Sequence, residues 1–286
     1  MMLRALGFPL SPLRRARAQT LRCRLCIAAQ ERRGFAGRAT ISSTCFPAWV
    51  VWKQIQFFIP RKKVLTVDAR NHGDSSHSPI MTYEAMSADI HLFLNQLHLN
   101  RCVLIGHSMG GKTAMVFALQ WPELVERLVC VDISPSQTKD ISGFQNFIAA
   151  MKAVDIPRGI PRSTARRMAE EQLRPTIQEP TILYFLLTNL VNAEDQFVWR
   201  VNLEAISQHL NDLMSFPDFQ TSYLGPTLFL GGSKSGYISS SNYPEIKRLF
   251  PDAEIQHIPD AGHWVHADQP EEFITIICNF IALHPL

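Results

Sequence analysis

The stretch of this sequence with the clearest capacity for chemistry is Gly106-His107-Ser108-Met109-Gly110. The pattern Gly-x-Ser-x-Gly lies between an apolar, strand-like run and a helical run, a context that favours a serine raised into solvent on a sharp turn. Glycines on both sides let the chain turn without a Cβ collision. Ser108 is therefore the candidate nucleophile. The Met109 backbone N–H, at the start of the following helix, is the candidate donor to an oxyanion.

A serine nucleophile needs a general base, and the histidine in the most suitable position is His263. It lies in Ala261-Gly262-His263-Trp264, a glycine-containing loop after the last predicted strand. In the chain order serine, acid, histidine, the base is expected at this late position. The other nine histidines have no such context, so we assign them structural or surface roles.

The acid partner of the base is specified less tightly by the sequence. Asp132 ends the strand after the nucleophile helix, so it should lie at the same edge of the sheet as the serine. The loop after the next strand, residues 231–235, has no carboxylate, and this absence favours Asp132. Glu204 is the alternative acid, and Asp260 lies too near the base in sequence to rank first. Asp132 could also be a buried structural carboxylate.

Short apolar runs alternate with helical patterns from residue 63 onward, which predicts an α/β fold with a mostly parallel sheet and helices on both faces. The predicted helices are Tyr83–Leu97, with Thr82 as N-cap, and Lys112–Trp121. The predicted strands are Lys63–Asp68, Arg101–Gly106, Arg127–Ile133, Pro226–Gly231 and Ala253–Pro259.

The alternation stops between residues 136 and 223, where apolar residues recur at helical spacing and no convincing strand is seen. We therefore predict a helical cap at 136–223, inserted into an α/β core of residues 41–135 and 224–286. Four apolar side chains of the cap suggest a wall for an acyl chain, although core packing is the more ordinary role for each. They are Phe144, Phe147, Phe185 and Leu186.

Residues 1–40 differ in composition from the rest, with nine arginines and a single acidic residue, Glu31. This composition predicts a disordered, removable mitochondrial transit peptide and a location in the matrix, with a disordered basic tail as the alternative. Without this segment the chain has 19 basic and 24 acidic residues, so its formal charge of +3 does not indicate nucleic-acid binding. No run approaches the roughly 18 apolar residues of a transmembrane helix.

Nothing in the sequence requires a disulfide, a metal or an organic cofactor. The six cysteines have no framework spacing. Cys23 and Cys26 form a CxxC, but they lie in the predicted transit peptide, where no βαβ context supports a redox site.

Four motifs together resemble the α/β-hydrolase superfamily, and the resemblance covers residues 63–286. They are DARNHGDS (68–75), GHSMGGKTAM (106–115), VDISP (131–135) and AGHWVHAD (261–268). The resemblance implies an α/β-hydrolase fold with a helical cap, esterase or lipase activity on a small-molecule or lipid ester, and a mitochondrial location. It also implies that Ser108 is the nucleophile and His263 the base, with the acid at Asp132 or at the position of Glu204.

The resemblance is incomplete before residue 63. The family places a His-Gly loop after an upstream strand, and an amide there supplies the second oxyanion donor. Here the only His-Gly before Ser108 is His72-Gly73, in a later turn. Residues 41–62 are too few for the opening strands and their helix, although Ala48–Ile59 is a candidate remnant of that helix. We expect missing first strands, an unpaired side of the sheet and turnover lowered by about 10²- to 10³-fold.

Two other functions fit parts of the sequence. Residues 106–113 also match GxxxxGK[ST], the phosphate-binding loop of NTPases, with Asp132 as a magnesium-binding acid. That interpretation leaves DARNHG and AGHW unexplained. The second alternative is a catalytically impaired relative that binds a mitochondrial protein partner through its cap. As an enzyme, the chain should transfer an acyl group to water through an acyl-Ser108 intermediate, with activity lost when His263 is protonated.

Overall fold

Strands and helices alternate along the described chain, which in this computed structural model comprises residues 24–30, 62–138 and 141–282. The strands are β1 (Arg24–Gln30), β2 (Lys62–Asp68), β3 (Cys102–His107), β4 (Val125–Val131), β5 (Leu190–Ala193), β6 (Gln196–Trp199), β7 (Thr227–Gly232) and β8 (Ala253–Ile258). The helices are α1 (Tyr83–Gln96), α2 (Met109–Gln120), α3 (Ile141–Ala153), α4 (Arg162–Leu173), α5 (Pro180–Leu187), α6 (Leu203–Gln208), α7 (Leu210–Met214), α8 (Tyr243–Leu249), α9 (Val265–Asp268) and α10 (Pro270–Ala282).

Six of the described strands form one sheet, in the order β2-β1-β3-β4-β7-β8. The pairs β3·β4, β4·β7 and β7·β8 are parallel. Every residue of β3 and β7 is buried, as their continuous apolar sequences require when helices cover both faces. The predicted mostly parallel sheet with helices on both faces is confirmed.

The core lies in two layers because successive side chains of a strand point to opposite faces of the sheet. Leu104 packs on one face in a cluster that includes Phe117 of α2 and Phe250. Val103 and Phe273 of α10 pack together on the opposite face. The strands β3, β4, β7 and β8 run parallel between these layers, so their carboxyl ends lie at the same edge of the sheet. The residues that follow β3, β4 and β8 therefore lie close together at that edge.

Strand β1 lies inside the sheet and is antiparallel to both of its neighbours. Ile27 is paired with Leu65 of β2 and with Leu104 of β3. Residues 24–30, predicted above to lie in a disordered leader, form a strand paired on both sides. Among the described strands, β2 pairs with β1 alone and lies at the edge of the sheet. The apolar run Leu25–Ala29 has the length of a short strand, but the arginines around it give the segment the composition of a leader.

The cap contains α3 to α7 and a hairpin, β5–β6, that the helical spacing did not reveal. Expecting no strand at 136–223 was therefore wrong. The hairpin turns through Glu194 and Asp195, both at positive φ, 50° and 62°. A two-residue turn of this kind usually carries Asn-Gly or Asp-Gly. Residues 194 and 195 include no glycine, so the usual sequence signal of a hairpin is missing here.

Several sequence predictions lie outside the described residues: the predicted transit peptide apart from β1, Cys23, and the candidate helix Ala48–Ile59. Within the described ranges, no helix combines the length and the hydropathy needed to cross a bilayer.

Candidate active site

Ser108 occupies a strained turn between β3 and α2, with φ 54° and ψ −121°. A non-glycine residue in such a region costs about 1–3 kcal/mol, so the surroundings must enforce it. A Cβ at Gly106 would lie 2.1 Å from the Gly110 carbonyl oxygen, and one at Gly111 would lie 2.5 Å from Ile133 Cγ2. The glycines are therefore required for the close approach of strand and helix that raises Ser108 out of the sheet.

Ser108, His263 and Asp132 form one hydrogen-bonded chain. His263 Nε2 lies 3.2 Å from Ser108 Oγ, and His263 Nδ1 lies 2.7 Å from Asp132 Oδ2. Because an ionised carboxylate only accepts hydrogen bonds, Nδ1 carries the proton in this arrangement and Nε2 is free to accept one from the serine. The structure thus joins the predicted nucleophile, base and first-choice acid in an order suited to activating a hydroxyl.

Two donors besides His263 orient the Asp132 carboxylate, which is fully buried. Oδ1 accepts a hydrogen bond from the Gly232 N–H at 3.0 Å, and Oδ2 accepts one from Ser235 Oγ at 2.5 Å. Gly232 is the last residue of β7, and Ser235 lies in the loop after it. Residues 231–235 have no carboxylate of their own. In the structure this segment positions the carboxylate that follows β4, a role that no sequence motif predicted.

The other two candidate acids contact different partners. Glu204 of the cap accepts hydrogen bonds from Lys152 at 2.7 Å and from Gln208 at 2.8 Å. The Lys152 hydrogen bond lowers the pKa of Glu204. Asp260 pairs with Lys234 at 2.8 Å, and both side chains are exposed. Among the described carboxylates, Asp132 is the one that contacts His263.

Met109 is the first residue of α2, so its N–H has no partner within the helix and lies at the positive end of the helix dipole. This position suits a donor to an oxyanion on a substrate bound at Ser108. His72-Gly73 plays a different part. Gly73 has φ 57°, and a Cβ there would lie 2.0 Å from Asp68 Oδ2, which makes this glycine a structural requirement of the turn after β2.

Aromatic rings surround His263, and the nearest of them, that of Tyr237, belongs to no motif of the sequence. The Tyr237 ring centroid lies 4.2 Å from that of His263. Trp264 lies 5.0 Å from Phe185 of cap helix α5, so this member of the predicted acyl wall contacts the loop that carries the base. Phe147 and Leu186 pack in the core of the cap instead, and Phe144 is exposed.

Lys112 and Thr113, which the phosphate-loop interpretation needs at a phosphate and a metal, are both buried and engaged. Lys112 Nζ donates to Ser215 O at 2.8 Å, to Met214 O at 3.1 Å and to Thr138 Oγ1 at 3.2 Å. These acceptors lie at the two ends of the cap. The lysine therefore links the cap to the nucleophile helix, and this arrangement argues against an NTPase.

We expect Lys112 to make stability depend on pH. Burial lowers its pKa from the usual 10.5 to about 7. Between these values the unfolded chain binds more protons than the folded chain, so the free energy of unfolding rises with pH. The free energy of unfolding should rise by about 1–2 kcal/mol between pH 7 and about pH 8.5. Lys112→Met should lack this rise. Denaturant unfolding of both proteins at several pH values measures the difference, and parallel curves would contradict the prediction.

Comparison with known proteins extends the resemblance. A family model described as alpha/beta hydrolase fold matches residues 45–270. The chain is 61% identical over 220 residues to the sn-1-specific diacylglycerol lipase ABHD11 of Danio rerio, covering 77% of this chain and 69% of that protein. It is 56% identical over 221 residues to the protein of the same name from Mus musculus, covering 77% and 72%.

A solved structure is similar in both fold and sequence. The marine microorganism esterase superposes with a TM-score of 0.73 at 36% identity, covering 80% of this chain and 89% of that chain. The α/β-hydrolase family that the four motifs indicated is confirmed.

Proposed function

The chain belongs to the α/β-hydrolase family and is a serine ester hydrolase, and from this premise we propose that it cleaves lipid esters, acylglycerols in particular, through an acyl-enzyme on Ser108. The observation that carries the mechanism is the hydrogen-bonded chain from Ser108 Oγ through His263 to Asp132. In this role Asp132 holds the imidazole in the tautomer that accepts a proton at Nε2.

The proposed reaction has two halves. In the first, Ser108 Oγ attacks the ester carbonyl while its proton passes to His263 Nε2, and the Met109 N–H stabilises the oxyanion. The C–O bond to the alcohol then breaks as His263 returns the proton to the leaving oxygen, leaving an acyl group on Ser108. In the second half, water gives its proton to His263 as it attacks the acyl group, and the acid is released as Ser108 regains its proton.

The lipid substrate class is supported by the relatives and by the cap. The two relatives compared above are named as lipases that act on diacylglycerol. Phe185 of the cap packs against Trp264, whose ring lies beside that of His263, with centroid distances of 5.0 and 5.5 Å. This apolar surface suits the binding of an acyl chain.

The test of this function is hydrolysis by the purified full chain. Fatty-acid release from dispersed sn-1,2-diacylglycerol is compared with release from a water-soluble short-chain ester. Turnover of diacylglycerol that exceeds turnover of the short ester supports a lipase. Turnover of the short ester alone would support an esterase and would contradict the proposed lipid substrate.

A second candidate function is that of an impaired hydrolase that binds a mitochondrial protein partner. The observation in its favour is that the sequence has no His-Gly loop ahead of β2 to supply a second oxyanion donor. A cooperatively folded sample that hydrolyses neither ester, and whose Ser108 does not react with a fluorophosphonate, would select this alternative.

We also propose import into mitochondria, on the Arg-rich composition of the first 40 residues. The position of β1 adds a constraint to this proposal, because a cut after Gln30 would remove a strand of the sheet. Processing should therefore leave residues 24–30 on the mature chain. Fluorescence microscopy of a C-terminally tagged chain and N-terminal sequencing of the recovered protein test the two statements.

Asp132→Asn and Glu204→Gln should have very different effects on turnover. An amide at position 132 can donate to His263 Nδ1 and so favours the wrong imidazole tautomer, a change that costs about 10⁴-fold in kcat in a serine protease with a Ser-His-Asp triad. Glu204 interacts within the cap, so its variant should keep turnover within about twofold, as expected for a surface position. Initial rates on the short ester measure both, and loss of activity in Glu204→Gln alone would reverse the assignment of the acid.

A further inference from the structure

His107 precedes the nucleophile and is almost completely buried, 3% exposed. Its ring packs against three aromatic side chains of the segment that carries the base. The ring centroids lie 4.7 Å from His263, 5.3 Å from Trp264 and 5.1 Å from His266. The end of β3 therefore contacts the loop after β8 directly through this side chain, across 156 residues of sequence.

One hydrogen bond connects the ring of His107 to the backbone of the base. His107 Nε2 lies 2.8 Å from the carbonyl oxygen of His263. A carbonyl only accepts, so Nε2 carries the proton. Within the described part of the chain, Nδ1 of His107 is buried and has no hydrogen-bond partner. Burial, together with the neighbouring histidines, lowers the pKa of His107 well below its ordinary value, which favours the neutral ring with its single N–H on Nε2.

This contact links the two reacting side chains. His107 and Ser108 are adjacent, so the backbone that places the nucleophile also places the His107 ring. That ring in turn holds the carbonyl of the residue whose Nε2 must reach Ser108 Oγ. The existing separation of 3.2 Å between those atoms is already at the long end of the hydrogen-bond range. A small shift of the His263 backbone would break the contact needed for proton transfer.

We propose that His107 is a positioning residue for the hydrolysis reaction, and that its Nε2–H sets the distance between His263 and Ser108 through the His263 carbonyl. The inference rests on the proposed function, with Ser108 as nucleophile and His263 as base. His107 itself exchanges no proton with the substrate. Displacement of a catalytic group by about 1 Å costs on the order of 10²-fold in rate, so loss of this hydrogen bond should lower kcat by about 10- to 100-fold.

Two amide variants at position 107 separate positioning from packing. The side-chain nitrogen of glutamine falls near the place of imidazole Nε2, whereas that of asparagine falls near the place of Nδ1. His107→Gln should therefore restore the donor to the His263 carbonyl, and His107→Asn should not. We expect His107→Gln to keep kcat within about threefold of wild type and His107→Asn to lose about 10- to 100-fold. KM for the short ester should change little in either, because no substrate-binding surface is altered.

His266→Phe is the matched control for removing a histidine from the same ring cluster. His266 is also buried, and its ring centroid lies 5.1 Å from that of His107. Its Nδ1 has no partner among the described residues, and its ring packs against aromatic rings rather than against Ser108. We expect His266→Phe to keep the wild-type kcat. Thermal unfolding of every variant reports losses of fold separately from losses of rate.

The outcomes separate the positioning role from the proposed function. If the wild-type protein hydrolyses no ester, the proposed function itself is contradicted. Wild type that is active, with His107→Gln and His107→Asn losing kcat equally, would overturn the positioning role, as would wild-type kcat in both. If His107→Asn fails to fold, a normal kcat in His107→Ala at a temperature where it is folded would also overturn the role.

Discussion

Ser108→Ala should lower ester hydrolysis by the full chain, with a fall in kcat on the order of 10⁶-fold and only the residual acceleration from oxyanion stabilisation and substrate binding left. The loss is this large because nucleophile and base act as one unit: without the Oγ that lies 3.2 Å from His263 Nε2, no acyl-enzyme forms. Fluorophosphonate labelling should disappear in the same variant. Initial-rate measurements on the short ester and mass spectrometry of the labelled protein check the two expectations.

Ser222→Ala is the control for Ser108→Ala, because Ser222 is an exposed serine of the segment between α7 and β7. It should retain both turnover and labelling. Thermal stability gives a further readout, because the strained turn at position 108 is kept in the variant. Alanine at position 108 must adopt the same φ of 54°, so the thermal midpoint should stay close to that of wild type. Turnover that survives in a folded Ser108→Ala protein would mean that another residue carries the chemistry.

Deletion of residues 1–40 should abolish the cooperative fold of the remaining chain. The deletion removes β1 from between β2 and β3 and so leaves unpaired backbone groups on two strands. Each buried group without a partner costs about 1–3 kcal/mol, against a total stability of about 5–15 kcal/mol for a typical domain. Unpaired strand edges also promote aggregation. Circular dichroism melting and size-exclusion chromatography of residues 41–286 beside the full chain measure the effect.

A point variant in the full chain tests the same strand without removing the leader. Ile27 has a neighbouring strand on each side, so its N–H faces one of them. Proline lacks that N–H and is excluded from central strands, so Ile27→Pro should destabilise the protein severely. Ile27→Val keeps the N–H and the β-branched side chain, and we expect it to melt near wild type. Equal melting of the proline and valine variants would show that β1 adds nothing to the sheet.

Much of the active-site chemistry could be predicted from local sequence. Gly106 and Gly110 around Ser108, with a strand before and a helix after, determine a sharp turn through steric exclusion alone, and this argument needs no distant residue. The late position of His263, after the last strand, followed from the chain order of such sites. Apolar runs of strand length alternating with helical spacing likewise determined the parallel sheet, because a strand buried on both faces must be apolar throughout.

Contacts between distant segments were decided by the tertiary structure. Asp132 and Glu204 were both open as the acid until the end of β4 was placed beside the loop after β8, and the donors Gly232 and Ser235 appeared only then. Lys112 fitted a phosphate loop by pattern, and its actual partners lie about a hundred residues away at the exit of the cap.

The place of β1 shows the physical reason for this division. A turn or a helix is determined by neighbouring residues, so its signal is present in the local sequence. A strand gains its stability from the strands beside it, and the run Leu25–Ala29 carries no record of β2 or β3. The local sequence was enough to predict the sharp turn at Ser108, the candidate base and the layered architecture. The tertiary structure decided which carboxylate contacts the candidate base, what anchors the cap and which strand lies between β2 and β3, because each depends on residues that meet only in the folded chain.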